Sequence, residues 1–178
     1  GTYTIGGTGG RVTLSTFATL ATATTAATGL GATVTTTGTN TYNDASIIEY
    51  NAAGNQTIHA TNHPAAAMIR TGGSGTKTLS ANKSMTASSG ALLSNGVVFV
   101  GAGTTFADGG SRLSFTPSQI ANVIVQGTYP STGSGSLSFE SGAAASNIQA
   151  VGRTGFCGPP LNLPAATPAD GNKCRGTG

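Results

Sequence analysis

The sequence predicts an all-β protein: a single β-sandwich, Ig-like or jelly-roll-like, with an extendable N-terminal strand. An irregular β-solenoid is the alternative. Three observations carry this reading. Apolar residues recur with period two, and helical periodicity is nearly absent. Clusters of glycine, asparagine and serine break the chain at roughly ten-residue intervals, the spacing of sandwiches and barrels. The run 96–102 (GVVFVGA) is continuously apolar and suits a buried central strand. Tandem repeats of fixed period are not apparent, which weakens a regular solenoid.

Along the chain, Tyr3 and Ile5 share one face of an opening strand. Gly6, Gly7, Gly9 and Gly10 then form a flexible hinge before Val12 and Leu14. Residues 16–28 are alanine-rich but loaded with β-branched threonine, which leaves helix and strand both open there. Further strands are expected over 30–37, 46–50, 56–61, 66–71, 76–80, 96–102, 112–116, 122–127, 135–140 and 147–151. Leu113/Phe115 and Leu137/Phe139 show the clearest inside–outside alternation. Thr116-Pro117-Ser118-Gln119 matches a capping box with proline at the first helical position, so one helical turn is expected there. This divides the chain into an N-terminal extension or donor strand (1–15), a β-domain (16–152) and a proline-rich C-terminal disulfide loop (153–178).

Charge is scarce: 7% of the residues are Asp, Glu, Lys or Arg, against roughly 25% in ordinary soluble domains. The surface must therefore be hydroxyl, methyl and bare backbone. The net charge of +3 comes from eight scattered cations against five anions. No basic stripe exists to displace counterions, which argues against nucleic acid as a partner. No run approaches the 18 or more apolar residues of a membrane span. Cys157 and Cys174 frame a stretch holding Pro159, Pro160, Pro164 and Pro168. Proline excludes helix and central strand there, so the pair reads as a disulfide clip and implies an oxidising, extracellular address. The first residue, Gly1, suits a chain processed by removal of a signal peptide.

Candidate chemistry is thin, and the expectation is that the protein is not an enzyme. His59 and His63 lie four apart before Pro64. In a strand that spacing separates them by about 13 Å, too far to chelate one ion, so both read as surface histidines. Gly72-Gly73-Ser74-Gly75-Thr76-Lys77-Thr78 lacks the glycine immediately before lysine that a phosphate loop needs, and reads as a hairpin turn. No Gly-x-Ser-x-Gly occurs. The carboxylates Asp44, Glu49, Asp108, Glu140 and Asp170 are too sparse in sequence to mark a glycosidase pair or a calcium loop. No cofactor or metal is expected. The sequons at Asn55 and Asn82 are candidate glycosylation sites, and threonines within 19–41 could carry O-linked sugars.

In composition and layout, the Thr/Ala/Gly-rich, charge-poor chain with GTYTIGGTGGRVTLS at its start resembles secreted, pilin-like, strand-exchanging filament subunits. The resemblance implies a structural subunit of an extracellular filament that polymerises with copies of itself by β-strand donation. Tyr3, Ile5, Val12 and Leu14 would be the donor side chains and the four glycines the hinge. Val97–Val100, Leu113, Phe115, Ile124, Leu137 and Phe139 would form the receiving core. On this reading, deleting residues 1–14 leaves soluble monomers. A secreted adhesin or carbohydrate-binding β-domain using Tyr42, Tyr50 and Tyr129, with glycans as partners, is an alternative. So is a viral or phage decoration or fibre protein. A smaller alternative is an ice-binding surface, because Thr33, Thr35, Thr37 and Thr39 would share one strand face.

Overall fold

A computed structural model of the chain describes residues 4–87, 97–115 and 123–129, together with the backbone of four further strands. It is an all-β coil in which each circuit of the chain lies against the previous one. The first turn holds β1 (Ile5–Gly7), β2 (Thr13–Leu14) and β3 (Thr19–Thr22), followed by the one-turn helix α1 (Leu30–Thr33). The second holds β4 (Val34–Thr36), β5 (Thr41–Tyr42), β6 (Ser46–Tyr50) and β7 (Gln56–Ile58). The third holds β8 (Ala67–Thr71), β9 (Gly75–Leu79) and β10 (Lys83–Met85). The fourth holds β11 (Val98–Val100), β12 (Thr104–Ala107) and β13 (Arg112–Phe115). Beyond these come β14 (Val123–Val125), β15 (Ser136–Phe139), β16 (Ile148–Ala150), β17 (Leu161–Asn162) and β18 (Arg175–Gly176).

Every pairing between these strands is parallel. A seven-stranded sheet runs β18-β16-β14-β11-β8-β6-β3, a four-stranded one β10-β13-β15-β17, and a three-stranded one β12-β9-β7. Two short pairs, β1-β4 and β2-β5, complete the first two turns. This corrects the sandwich expectation: the fold is the β-solenoid alternative. A strand is not followed by its partner but by a corner into another sheet. Its partner is the equivalent strand one turn later. Parallel strands require such a crossover, here supplied by the rest of the turn. The offset between partners varies from 21 residues (Ser46 to Ala67) to 30 (Lys83 to Leu113), so no fixed repeat is visible in the sequence.

The core is built from columns of stacked side chains. Ile48, Ile69, Val98 and Val123 lie in register on successive strands, and each is at most 1% exposed. Leu20 continues this column outward and is half-buried. Ile58 stacks on Leu79, and Met85 on Phe115, all fully inside. The expected core residues Val97, Val98, Val100, Leu113, Phe115 and Ile124 are buried. Phe99 faces outward and half-buried, with the Arg70 guanidinium 5.6 Å above its ring. The side chains of Leu137 and Phe139 lie outside the described residues.

Corners depend on glycine where the backbone turns left-handed. Gly73, between β8 and β9, has φ +70°, and a Cβ there would sit 2.4 Å from the Ala52 carbonyl oxygen. The hairpin expected at 72–78 is therefore a corner leading into β9. Within 16–28 the chain forms β3 rather than helix. Helix appears instead at α1, replacing the start of the strand expected over 30–37. The buried Thr22 and Thr33 hydroxyls bond at 2.6 Å and tie that turn to β3. The helical turn expected at 116–119 lies outside the described residues.

Truncating a column should cost far more than altering the outside of a strand. Ile69→Ala is expected to destabilise the fold by about 2–5 kcal/mol. Thr78→Ala, on the outer face of β9, should stay within about 0.5 kcal/mol of the parent. Urea titration followed by circular dichroism reads both.

Candidate functional site

Two regions concentrate unusual chemistry: the open edge of the first turn, and a set of polar groups inside the coil. The first turn lies at one end of the stack. Among the described residues β1 pairs only with β4, β2 only with β5, and β3 only with β6. Ala18 and Thr22 turn their carbonyls to the amides of Ile47 and Asn51, at 2.8 and 3.0 Å. By the alternation of a parallel ladder, Thr19 and Ala21 direct their amides and carbonyls to the open side. Val12 and Leu14 likewise accept from Thr41 and Asn43, which leaves Thr13 facing out. Ile5 (39% exposed) and Phe17 (50% exposed) are the exposed large hydrophobic residues of the described chain, and both sit on this turn. Phe17 also holds a left-handed backbone, φ 60°, which is costly for a residue with a side chain.

Ile5, Gly6 and Gly7 thus lie in β1, and Val12 and Leu14 flank the short strand β2 or belong to it. Gly9 and Gly10 sit in the connection between them, where Gly9 donates to the Thr37 hydroxyl at 2.8 Å and Gly10 to the Gly7 carbonyl at 3.2 Å. Tyr3 lies outside the described residues. Cys157 and Cys174 lie outside them as well. Asn55 and Asn82 are exposed, but each side-chain oxygen accepts a backbone amide, from Thr76 at 3.0 Å and from Arg112 at 2.7 Å.

Inside the coil, the surface expectation for His63 is overturned: it is 1% exposed. The 59–63 segment forms a turn closed by the His63 amide on the His59 carbonyl at 2.9 Å, and this swings the ring inward. Its Nε2–H donates to the Ala67 carbonyl at 2.9 Å, so bare Nδ1 accepts the Tyr50 hydroxyl at 3.0 Å. Burial pushes the His63 ring down to about 3, helped by nearby Lys83 and opposed by the bond to Ala67. Burial raises the Tyr50 phenol far above its ordinary value, with a smaller contribution from Tyr42. Tyr50 is therefore inside the core and unavailable as an aromatic platform. Lys83 caps the same segment, its ammonium donating to the carbonyls of Ala60 (2.8 Å) and His63.

Lys77 is also fully buried. Its three ammonium protons meet three carbonyls: Ala52 at 2.7 Å, Gly54 at 2.9 Å and Ser74 at 2.9 Å. These come from the corners of the second and third turns, so one side chain ties both. Burial lowers its pKa. A sequence signal for this exists: Lys77 precedes Leu79 by two and so shares its face. On the next turn, Asp108 is buried, accepts the Gly110 amide at 2.9 Å and receives the Tyr129 hydroxyl at 3.1 Å. Tyr129 stacks on Phe106 with ring centroids 5.6 Å apart. These groups are joined to backbone and to one another, as a structural polar network requires.

His63 is neutral in the fold and protonates near pH 6.5 when unfolded. The unfolded chain then binds the extra proton, so stability is full above about pH 6.5 and falls below it. The loss is about 1.4 kcal/mol per pH unit and continues until the folded ring itself protonates. His63→Gln, which keeps a donor and an acceptor, should flatten this slope between pH 6.5 and 4.5 in thermal unfolding. A comparison with protein-family models, curated proteins and solved structures finds no match for this chain.

Proposed function

We propose that the protein is a structural subunit of an extracellular filament, and that copies associate through the open edge of the first turn. The observation that carries this is the coincidence of strand edges unpaired among the described residues with the exposed Ile5 and Phe17. Unpaired edges template the addition of further strands. Natural edges are blunted by charge or proline, and β1, β2 and β3 contain neither. At 7% charged residues, like-charge repulsion between copies is weak.

The occupant is a second copy, presenting the opposite end of its own stack, where β17 and β18 are the last strands of their sheets. Such a contact joins two different surfaces and therefore propagates into an open filament. Edge stacking leaves the β1–β4 and β2–β5 pairs intact, whereas donation of Ile5, Val12 and Leu14 to a neighbour would break them. Deletion of residues 1–14 consequently discriminates poorly, because it only bares the next turn.

Thr19→Pro/Ala21→Pro removes two outward amides while sparing the bonds that β3 makes to β6. The parent should form filaments by negative-stain electron microscopy. The double variant should elute as a monomer with an unchanged circular dichroism spectrum. A parent that stays monomeric at high concentration, or a folded variant that still polymerises, refutes the reading.

A further inference from the structure

The outer face of the three-stranded sheet is a two-column array without charge or aromatic rings. Thr57 lies beside Thr78, and Thr78 beside Ala107. In the second column Thr76 lies beside Thr105, and Thr105 beside Thr128. Asn55 extends that column, held by the Thr76 amide at 3.0 Å. The residues between the columns, Gln56, Lys77 and Phe106, all point inward and are buried.

Strand β9 (GTKTL) inverts the usual arrangement. A lysine on a half-buried strand normally faces water, and lysine is almost never fully buried. Here the lysine is inside, held by three carbonyls, and two threonines face out. The strand's one charge is thus withdrawn from the outer surface. What remains is hydroxyl and methyl on a rigid lattice, repeating at about 4.8 Å along each column and about 6.6 Å between columns.

We propose that this face binds ice. Each threonine hydroxyl both donates and accepts, so the array can hold water molecules at positions set by the backbone repeat rather than by flexible side chains. The methyl groups between them leave that water no competing polar partner. A neutral, regular surface complements a neutral, regular crystal, and a charged one would keep its own hydration shell. Sugar rings dock on aromatic platforms, and the array has none, which disfavours a crystalline polysaccharide as the occupant. The threonine row expected at 33–39 does not form such a face: Thr33 is buried in α1, and only 34–36 are strand.

The test uses the full chain and a single ice crystal grown in supercooled solution, with recrystallisation of a frozen film as a second readout. The parent should facet the crystal and slow recrystallisation. Thr78→Lys and, separately, Thr105→Lys place a charge in the array and should abolish both effects while thermal unfolding stays near the parent's. Ser84→Lys, exposed on β10 of another sheet, should retain them. Round crystals and unslowed recrystallisation with the parent would overturn the proposal. Equal activity in the folded Thr78→Lys or Thr105→Lys protein would do the same, as would binding to microcrystalline cellulose without any effect on ice. The array lies on a different sheet from the open edge, so the Thr19→Pro/Ala21→Pro protein should keep its ice activity, which separates this proposal from filament assembly.

Discussion

The in-register parallel ladder is the constraint on which everything else rests. Within a sheet, each interior strand residue lies directly against one residue of the turn before and one of the turn after, about 4.8 Å away. A side chain is therefore chosen by its column as much as by its strand. Ile48, Ile69, Val98 and Val123 illustrate the interior consequence, a continuous aliphatic stack. Thr76, Thr105 and Thr128 show the outer one, a hydroxyl at the same height on successive turns. A core this thin, built with many alanines and no tryptophan, is workable because each turn shares its burial with two neighbours.

Polar groups inside the coil solve a problem the ladder creates. Corners interrupt the sheets, and carbonyls there have no strand to bond. Lys77 and Lys83 supply donors to such carbonyls, reaching back to the preceding turn for Ala52, Gly54 and Ala60, while Lys77 also serves Ser74 on its own turn. His63 donates in the same way to Ala67, at the point where the chain enters β8, and the Tyr50 hydroxyl holds the ring by donating to its Nδ1. Buried polar groups are stable only when their bonds are made, and here most reach main chain rather than other side chains. The scarce charges of this sequence are thus partly internal fasteners, which leaves the exterior still more neutral than the composition suggests.

Much of this was legible in the sequence. Period-two alternation located most strands, and the run at 96–102 marks β11, in the middle of the largest sheet. The buried core of Val97, Val98, Val100, Leu113, Phe115 and Ile124 followed from the same pattern. The pairing did not, because alternation is identical whether a strand meets its neighbour in sequence or its counterpart one turn on. Corner insertions shift the offset between 21 and 30 residues and erase the repeat. His63 was misplaced for a related reason: Pro64 signalled a turn, and turns are normally wet, but this one folds under the next turn's lysine. The inward Lys77 was readable from its spacing to Leu79, against the general habit of lysine to face water.

The orientation of the ladder also fixes how the molecule bears load. Its hydrogen bonds run along the stack, so tension along that axis acts on them one turn at a time. Pulling on an end peels the coil instead of shearing it, and each turn released frees 21 to 30 residues of chain. Fully extended, that is about 70–100 Å per turn. A chain coiled in this way lengthens in steps under load, and it can recoil, because every released turn finds its template still standing beneath it.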